Sequence, residues 1–280
     1  MAFSFGGISS RIAAFADWAF SFNWSSESKR QDERANPYRS QLWLDVTGKV
    51  LELGPGFSSS LKLLPHKTTS AGQYLANSEV IQSYTALEPN PFMYGGLQKN
   101  AEANGFRVKF DRNTIADDTV HDTAVTSDGL IPFDIVRGTL DDPGQIPQLV
   151  LDNAPYDTVI TSFSLCTAKD PEASLKNIVR LLKPGGTYIF IEHIRHPPPN
   201  DPLLVDGHDI DGVFWSRMQS LFNPLWNILG HGCHIIRETG KTIEQTPGWE
   251  SVDYRYARIG GDILSYFVPM AFGKAVKASD

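Results

Sequence analysis

The sequence predicts an α/β domain: a doubly wound, mostly parallel seven-stranded sheet, with an antiparallel last strand and a helical cap inserted before the final two strands. Three observations carry this prediction. Apolar, β-forming runs alternate with stretches of helical spacing from Val50 onward, as expected of strands joined by crossover helices. The first run, Val50-Leu51-Glu52-Leu53, breaks into Gly54-Pro55-Gly56-Phe57-Ser58-Ser59-Ser60, with a helical pattern at Leu61, Leu63 and Leu64. A strand, a bare-backbone turn and a helix start present main-chain N–H groups to a ligand. The second run, Ser83 to Leu87, ends in Glu88-Pro89-Asn90, which puts an acid at the carboxyl edge where doubly wound sheets bind ligands.

The elements follow in order. Ile8, Ile12, Phe15, Trp18 and Phe22 have helical spacing, so residues 1–45 are expected to form a helical segment that packs on the domain or lies over the ligand site. Ser25 to Arg34 is polar and reads as a loop or the end of that helix. Asn36 to Arg39 opens a short helical stretch ending before Gly48, and its Tyr38 and Arg39 belong either to the site or to a solvated linker. Thr68 to Glu79 is loop-like. Phe92 to Asn104 is a helix closed by Gly105, Val108 to Phe110 a brief strand, and residues 114–132 an acidic surface insertion.

A strand from Phe133 ends in the polar turn Thr139-Leu140-Asp141, and Tyr156 to Ser162 is a further central strand. Pro171 to Leu182 is amphipathic and stopped by Lys183-Pro184-Gly185-Gly186. Thr187 to His193 is a buried strand. Residues 196–248 form the cap insertion, with a proline spacer and a helix over Val213 to Leu229. Trp249 to Ile259 and Tyr266 to Val276 close the sheet as an antiparallel pair. All 280 residues are expected to form one domain.

Composition limits the function. With 41% hydrophobic and 20% charged residues the chain can bury a sizeable core. A net charge of −7, with no basic cluster, argues against nucleic-acid binding. No apolar run reaches the ~18 residues of a membrane span, and the N-terminus lacks the basic start of a leader, so no transmembrane anchor is expected. Two cysteines, Cys166 and Cys233, give neither a disulfide framework nor metal-ligand spacing. A cytoplasmic protein without a metal is the simplest expectation, with its oligomeric state open.

Glu52 selects among nucleotide-like ligands. A carboxylate at the mouth of the glycine turn repels a pyrophosphate but suits an amino group or a cationic sulfonium. The third glycine of the dinucleotide pattern is replaced by Ser59. S-adenosylmethionine therefore fits better than NAD. Glu88 is placed to accept both ribose hydroxyls, and Thr139, Leu140 and Asp141 to bracket an adenine. His193, at a strand's carboxyl end, is the candidate base or acceptor-orienting residue, with His231, His208 and Asp209 as second choices. Among the cap aromatics Trp215, Phe222 and Trp226, one or two are expected to wall an apolar acceptor pocket.

With strand–acid–glycine turn, second-strand acid, post-strand loop and Leu181-Leu182-Lys183-Pro184-Gly185-Gly186 in this order, the chain resembles class I S-adenosylmethionine-dependent methyltransferases from about Val50 to its end. Leu165-Cys166-Thr167, Glu192-His193-Ile194 and Gly232-Cys233-His234-Ile235-Ile236-Arg237-Glu238 are similar to the methyltransferase-like proteins that methylate small alkyl thiols. The resemblance implies the Rossmann-like methyltransferase fold and S-adenosyl-L-methionine as cofactor. It places Glu52, Gly54, Pro55 and Gly56 at the methionine end, Glu88, Pro89 and Asn90 at the ribose, Thr139, Leu140 and Asp141 at the adenine, and Ser162 and Phe163 alongside. Cys166, Glu192, Trp215, Phe222, Trp226 and His231 would face a small-molecule acceptor. Ser58 stands where the family's third glycine falls, and Thr139 where many relatives carry Asp. The expected activity is methyl transfer to an S-, O- or N-nucleophile by in-line displacement. The alternatives are a non-catalytic binder of the same cofactor and an NAD-dependent oxidoreductase.

Overall fold

The structure, a computed structural model, describes residues 6–69, 72–111, 130–141, 146–205, 212–258 and 267–279. Most of the 114–132 insertion, and both His208 and Asp209, lie outside the described residues.

Helix α1 runs from Gly6 to Leu42 without a break. Ser25 to Arg34, read from sequence as a loop or helix end, continues it, because no Gly or Pro occurs between Ile8 and Asn36 and the stretch is rich in Glu, Lys, Arg and Gln. Pro37 falls within its last two turns. Strand β1 (Gly48–Leu53) then runs into the glycine turn. The helix expected after the turn is only one 3-10 segment, Ser59–Leu63. Pro65 follows at once, and the residue before a proline is biased away from α-helix. Thr68 to Glu79 is not all loop: β2 (His66–Thr68) and β3 (Tyr74–Ala76) pair antiparallel.

The remaining elements are β4 (Ile81–Leu87), α2 (Tyr94–Ala103), β5 (Phe106–Phe110), β6 (Ile131–Val136), α3 (Gln148–Asn153), β7 (Tyr156–Ser162), α4 (Pro171–Leu181), β8 (Leu182–His193), α5 (Gly212–Leu229), α6 (Thr239–Gln245), β9 (Trp249–Ala257) and β10 (Met270–Lys277). The main sheet has eight strands in the order β5-β6-β4-β1-β7-β8-β10-β9, one more than the predicted seven. Edge strand β5 contains the brief strand expected over Val108 to Phe110. It pairs parallel with β6 and buries Phe106, Val108 and Phe110, with Phe106 edge-on to both Tyr84 and Phe133. Only β10 runs against its neighbours.

Alternation along β1 and β7 divides the core into two layers. Val50 and Ile160 join Trp43, Tyr84 and Phe133 on one face. Leu51 and Val159 join Leu175, Ile178, Tyr188 and Phe190 on the other. Helix α4 meets that second face through Leu175, Ile178 and Leu181, and Asp170 caps it by accepting from the Ala173 N–H at 2.9 Å. The chain leaves β1 for β4 on one side and returns to β7 on the other. The carboxyl ends of these strands therefore frame the crevice where a ligand is expected. No described helix is long and apolar enough to cross a membrane.

Candidate active site

A cavity of about 480 Å³ opens at that switch point. Its floor is the glycine turn with Glu52 and Glu88. One wall comes from α1 through Asp17, Phe20, Trp24, Asp32 and Arg39; the other carries Ser162, Phe163, His193 and Cys233, with Trp226, Leu229 and His231 at the rim.

The turn is tight because two glycines take left-handed backbone, Gly54 at φ 57° and Gly56 at φ 58°. The Gly54 N–H donates to the Leu87 carbonyl at 2.9 Å, stitching the turn to the second strand. A Cβ on Gly54 would stand 2.8 Å from the Ser164 Cβ. Gly54→Ala is therefore expected to lose at least the ~1–2 kcal/mol cost of left-handed backbone for a residue with a Cβ. The loss should be read as a lower urea midpoint together with weaker binding of S-adenosylhomocysteine; an unchanged midpoint would contradict it.

Glu52 is buried at the base of the turn, where it accepts from the Tyr84 hydroxyl at 2.6 Å and from the Ser58 hydroxyl at 2.9 Å. Burial raises its pKa, against the pull of these two hydrogen bonds and of Arg39. Glu88 is equally enclosed. One carboxylate oxygen accepts from the Gly56 N–H and the other from the Asn90 N–H, each at 2.8 Å. Burial pushes its pKa up to about 7 even so. Each oxygen keeps a second lone pair, so a pair of ligand hydroxyls can still be accepted. Asn90 caps the next turn through Phe92 and donates to the Asp17 carbonyl at 3.0 Å, binding α1 to the floor.

Arg39 is the residue the sequence left undecided, and it belongs to the site. It is buried, pairs with Asp32 at 2.6 Å, and donates through Nε and Nη2 to the Ser162 hydroxyl at 3.2 and 2.8 Å. Its guanidinium also sits 5.5 Å from the centre of the Phe163 ring. His231, at φ 51°, reaches Asp17 at 2.9 Å and stacks on Phe20, so the loop after α5 and α1 close one side together.

Of the residues predicted from sequence, Glu52, Gly54, Pro55, Gly56, Glu88, Pro89, Asn90, Ser162, Phe163, His193, Trp226 and His231 line this cavity. Thr139, Leu140 and Asp141 do not. Leu140 is core, with its carbonyl taken by the Asn177 amide; the Thr139 hydroxyl donates to Asp141, which also accepts from the Lys169 N–H at 2.8 Å. Trp215 and Phe222 instead meet Phe267 edge-on. Cys166 and Glu192 lie behind the wall. The Glu192 carboxylate accepts from the N–H groups of Ser164, Leu165 and Cys166 and so fixes the loop after β7. Tyr84 and the α1 residues Asp17, Phe20, Trp24 and Asp32 escaped the sequence reading. Nothing local marks Tyr84, which sits among core positions of β4.

Behind Phe163, which stacks on the His193 ring at 4.4 Å, three soft donors converge. The Cys166 and Cys233 sulfurs are 3.5 Å apart, and His193 Nδ1 lies 3.8 and 3.4 Å from them. Both cysteines are free, and burial pushes the Cys166 thiol well above its ordinary range.

Comparison with known proteins places this geometry in context. A family model described as "Methyltransferase domain" matches residues 27–272. Human thiol S-methyltransferase TMT1A is 30% identical over 227 residues, 80% of this chain and 69% of that protein. Human thiol S-methyltransferase TMT1B is 31% identical over 202 residues, 71% of this chain and 60% of that protein. The rat TMT1B protein is 31% identical over 133 residues, 45% of this chain and 46% of its own length. The chain thus spans about half the length of some of the curated relatives it matches. Among solved structures, a SAM-dependent methyltransferase from Thermotoga maritima shares the fold at a TM-score of 0.51 and 15% identity, covering 93% of this chain and 99% of that one.

Proposed function

The chain belongs to the methyltransferase domain family, and from that premise we propose that it moves a methyl group from S-adenosylmethionine to the sulfur of a small apolar thiol. The observation that carries this reading is one cavity with two unlike walls. Its floor holds two buried carboxylates around a turn with two glycines; its far wall is aromatic and backed by sulfur and imidazole. The floor suits a ligand that is cationic at one end and a diol further along. A dinucleotide would bring its pyrophosphate against the same two acids, which disfavours it.

S-adenosylmethionine, when bound, supplies a methyl group activated by a positively charged sulfur. Everything else falls to the chain. Gly54 and Gly56 let the backbone approach the ligand closely, Glu52 faces its cationic end, and Glu88 accepts from the ribose. Phe163, Trp24, Trp226 and Leu229 give the acceptor an apolar berth that excludes water. A proximity contribution of ~7–11 kcal/mol is available to a site that mainly holds two reactants in line. His193 orients the acceptor. A thiol, with a pKa of about 8.5, needs little help in losing its proton. The names of the relatives support sulfur as the acceptor atom.

The test is incubation of the purified chain with methyl-labelled S-adenosylmethionine and a panel of alkyl thiols, phenols and amines. Labelled thioether is expected from the thiols. Cofactor binding without product from any acceptor would leave a binding protein instead. In the same assay His193→Ala should lower kcat by on the order of tenfold, short of the 10²–10⁴-fold typical of a lost general base, with S-adenosylhomocysteine affinity retained. Unaltered turnover would remove His193 from the acceptor's surroundings.

A further inference from the structure

We propose that Cys166, Cys233 and His193 form a binding site for one thiophilic divalent cation of the zinc class, with its fourth position open to the cavity. These three residues come from the loop after β7, the loop after α5 and the end of β8, and they are 27 and 40 positions apart along the chain. Such separations match no metal-binding spacing, so the sequence gives no hint of the site.

The geometry is that of an ion's coordination shell. Zinc bonds of about 2.3 Å to sulfur and about 2.0–2.1 Å to nitrogen, arranged tetrahedrally, put two sulfurs about 3.8 Å apart and each sulfur about 3.5–3.6 Å from the nitrogen. The observed edges are 3.5 Å between the sulfurs and 3.4 and 3.8 Å to Nδ1. All three groups are buried, and together they are the one cluster of metal-ligating type found among the described residues. Two thiolates and a neutral imidazole cancel the charge of a divalent cation, so the filled site adds no net charge to the interior. Each cysteine releases its proton as it binds, two protons per ion.

The sulfurs are also held in place by contacts that do not involve them. The Cys166 N–H donates to Glu192 at 3.0 Å, and its carbonyl accepts from the His234 N–H at 3.0 Å. Arg237 donates to the carbonyls of Leu165, Cys166 and Ala168 at 2.9, 2.9 and 2.8 Å, lacing the two cysteine loops together. Outer contacts of this kind preorganise metal ligands. Cys233 and His193 line the cavity while Cys166 lies behind them, which is why the open fourth position is assigned to the cavity side. A water fits there, as does the sulfur of an acceptor thiol. That last assignment rests on the methyl-transfer reading, whereas the metal site itself does not.

The full chain, purified anaerobically with both thiols reduced, is incubated with zinc or cobalt(II) and passed through a desalting column. The expected results are about one ion per chain by mass spectrometry, and for cobalt the thiolate charge-transfer band with the visible bands of tetrahedral geometry. Cys166→Ser and Cys233→Ser should each weaken binding by more than the ~10–100-fold cost of losing an outer-shell partner. His193→Cys should keep the ion and His193→Ala lose it, with thermal unfolding confirming that each variant is folded. A metal-free wild type with two titratable thiols would overturn the proposal, as would binding that survives the double serine variant. Loss of both thiols without metal, reversed by reductant, would mean a disulfide pair and overturn it too. Titration with S-adenosylhomocysteine on the wild type tests the cofactor reading separately.

Discussion

Arg39→Met is expected to destabilise the chain by about 3–5 kcal/mol, the cost of leaving a buried ion-pair partner uncompensated. The methionine keeps most of the apolar stem, so the loss reports on charge and hydrogen bonds rather than on a cavity. Arg39 connects parts of the molecule that share little else. Its Nη1 holds Asp32 two turns earlier on α1, and Nε and Nη2 hold Ser162 at the end of β7. It also offsets the buried charge of Glu52. Burial lowers its pKa, and the pairing with Asp32 opposes that shift. Removing it strands two acids. For a chain of this size the change corresponds to a fall in Tm of roughly 6–20 °C. Arg39→Lys should fall between, since an ammonium cannot span Asp32 and Ser162 with a planar fork. A Tm for Arg39→Met within a degree of wild type would show that α1 is held without this link.

How much of this was legible in the sequence depends on how far apart the cooperating residues lie. The glycine turn, Glu52 and the second-strand acid stand within about forty residues in strand-and-turn contexts, and local chemistry marks them. The succession of strands along the chain followed from the alternation of apolar runs with helical spacing, whereas their order across the sheet is set by contacts between distant segments. The brief strand expected over Val108 to Phe110 joins the sheet at its edge; its place is secured by Phe106 against Tyr84 and Phe133, a contact between separate strands. The 3-10 turn at Ser59–Leu63 replaced a helix because helical spacing over five residues cannot overcome a proline two positions on. Arg39 stayed undecided between site and linker because its value comes from Ser162, 123 positions away. Tyr84 was hidden in the same way, an aromatic on a core strand whose hydroxyl happens to meet Glu52. Leu140, expected from its position after a strand to offer its backbone to a ligand, places its side chain in the core and its carbonyl against the Asn177 amide.

Glu88 gives the second large effect, and its pH dependence has two opposed parts. In the folded chain its carboxyl keeps a proton up to about pH 7, against an ordinary value of 4.5. Between those values the folded state binds more protons than the unfolded one, so stability falls as pH rises through the window. The contribution is full below about pH 4.5 and is lost by pH 7, a span on the order of 3 kcal/mol. Glu88→Gln should remove that slope from the stability profile. Under the proposed cofactor reading, binding runs the other way. Ribose hydroxyls donate best to the ionised carboxylate, so S-adenosylhomocysteine affinity should rise from pH 6 to pH 8 as the proton leaves. Glu88→Ala should weaken that binding by about 1.5–3 kcal/mol, roughly 10–150-fold in Kd, and should flatten its pH dependence. Calorimetric titration of both proteins at three pH values measures each part. An alanine variant that binds as tightly as wild type, with affinity level across the range, would take Glu88 out of the cofactor site and leave it the narrower task of tying the Gly56 and Asn90 backbones together.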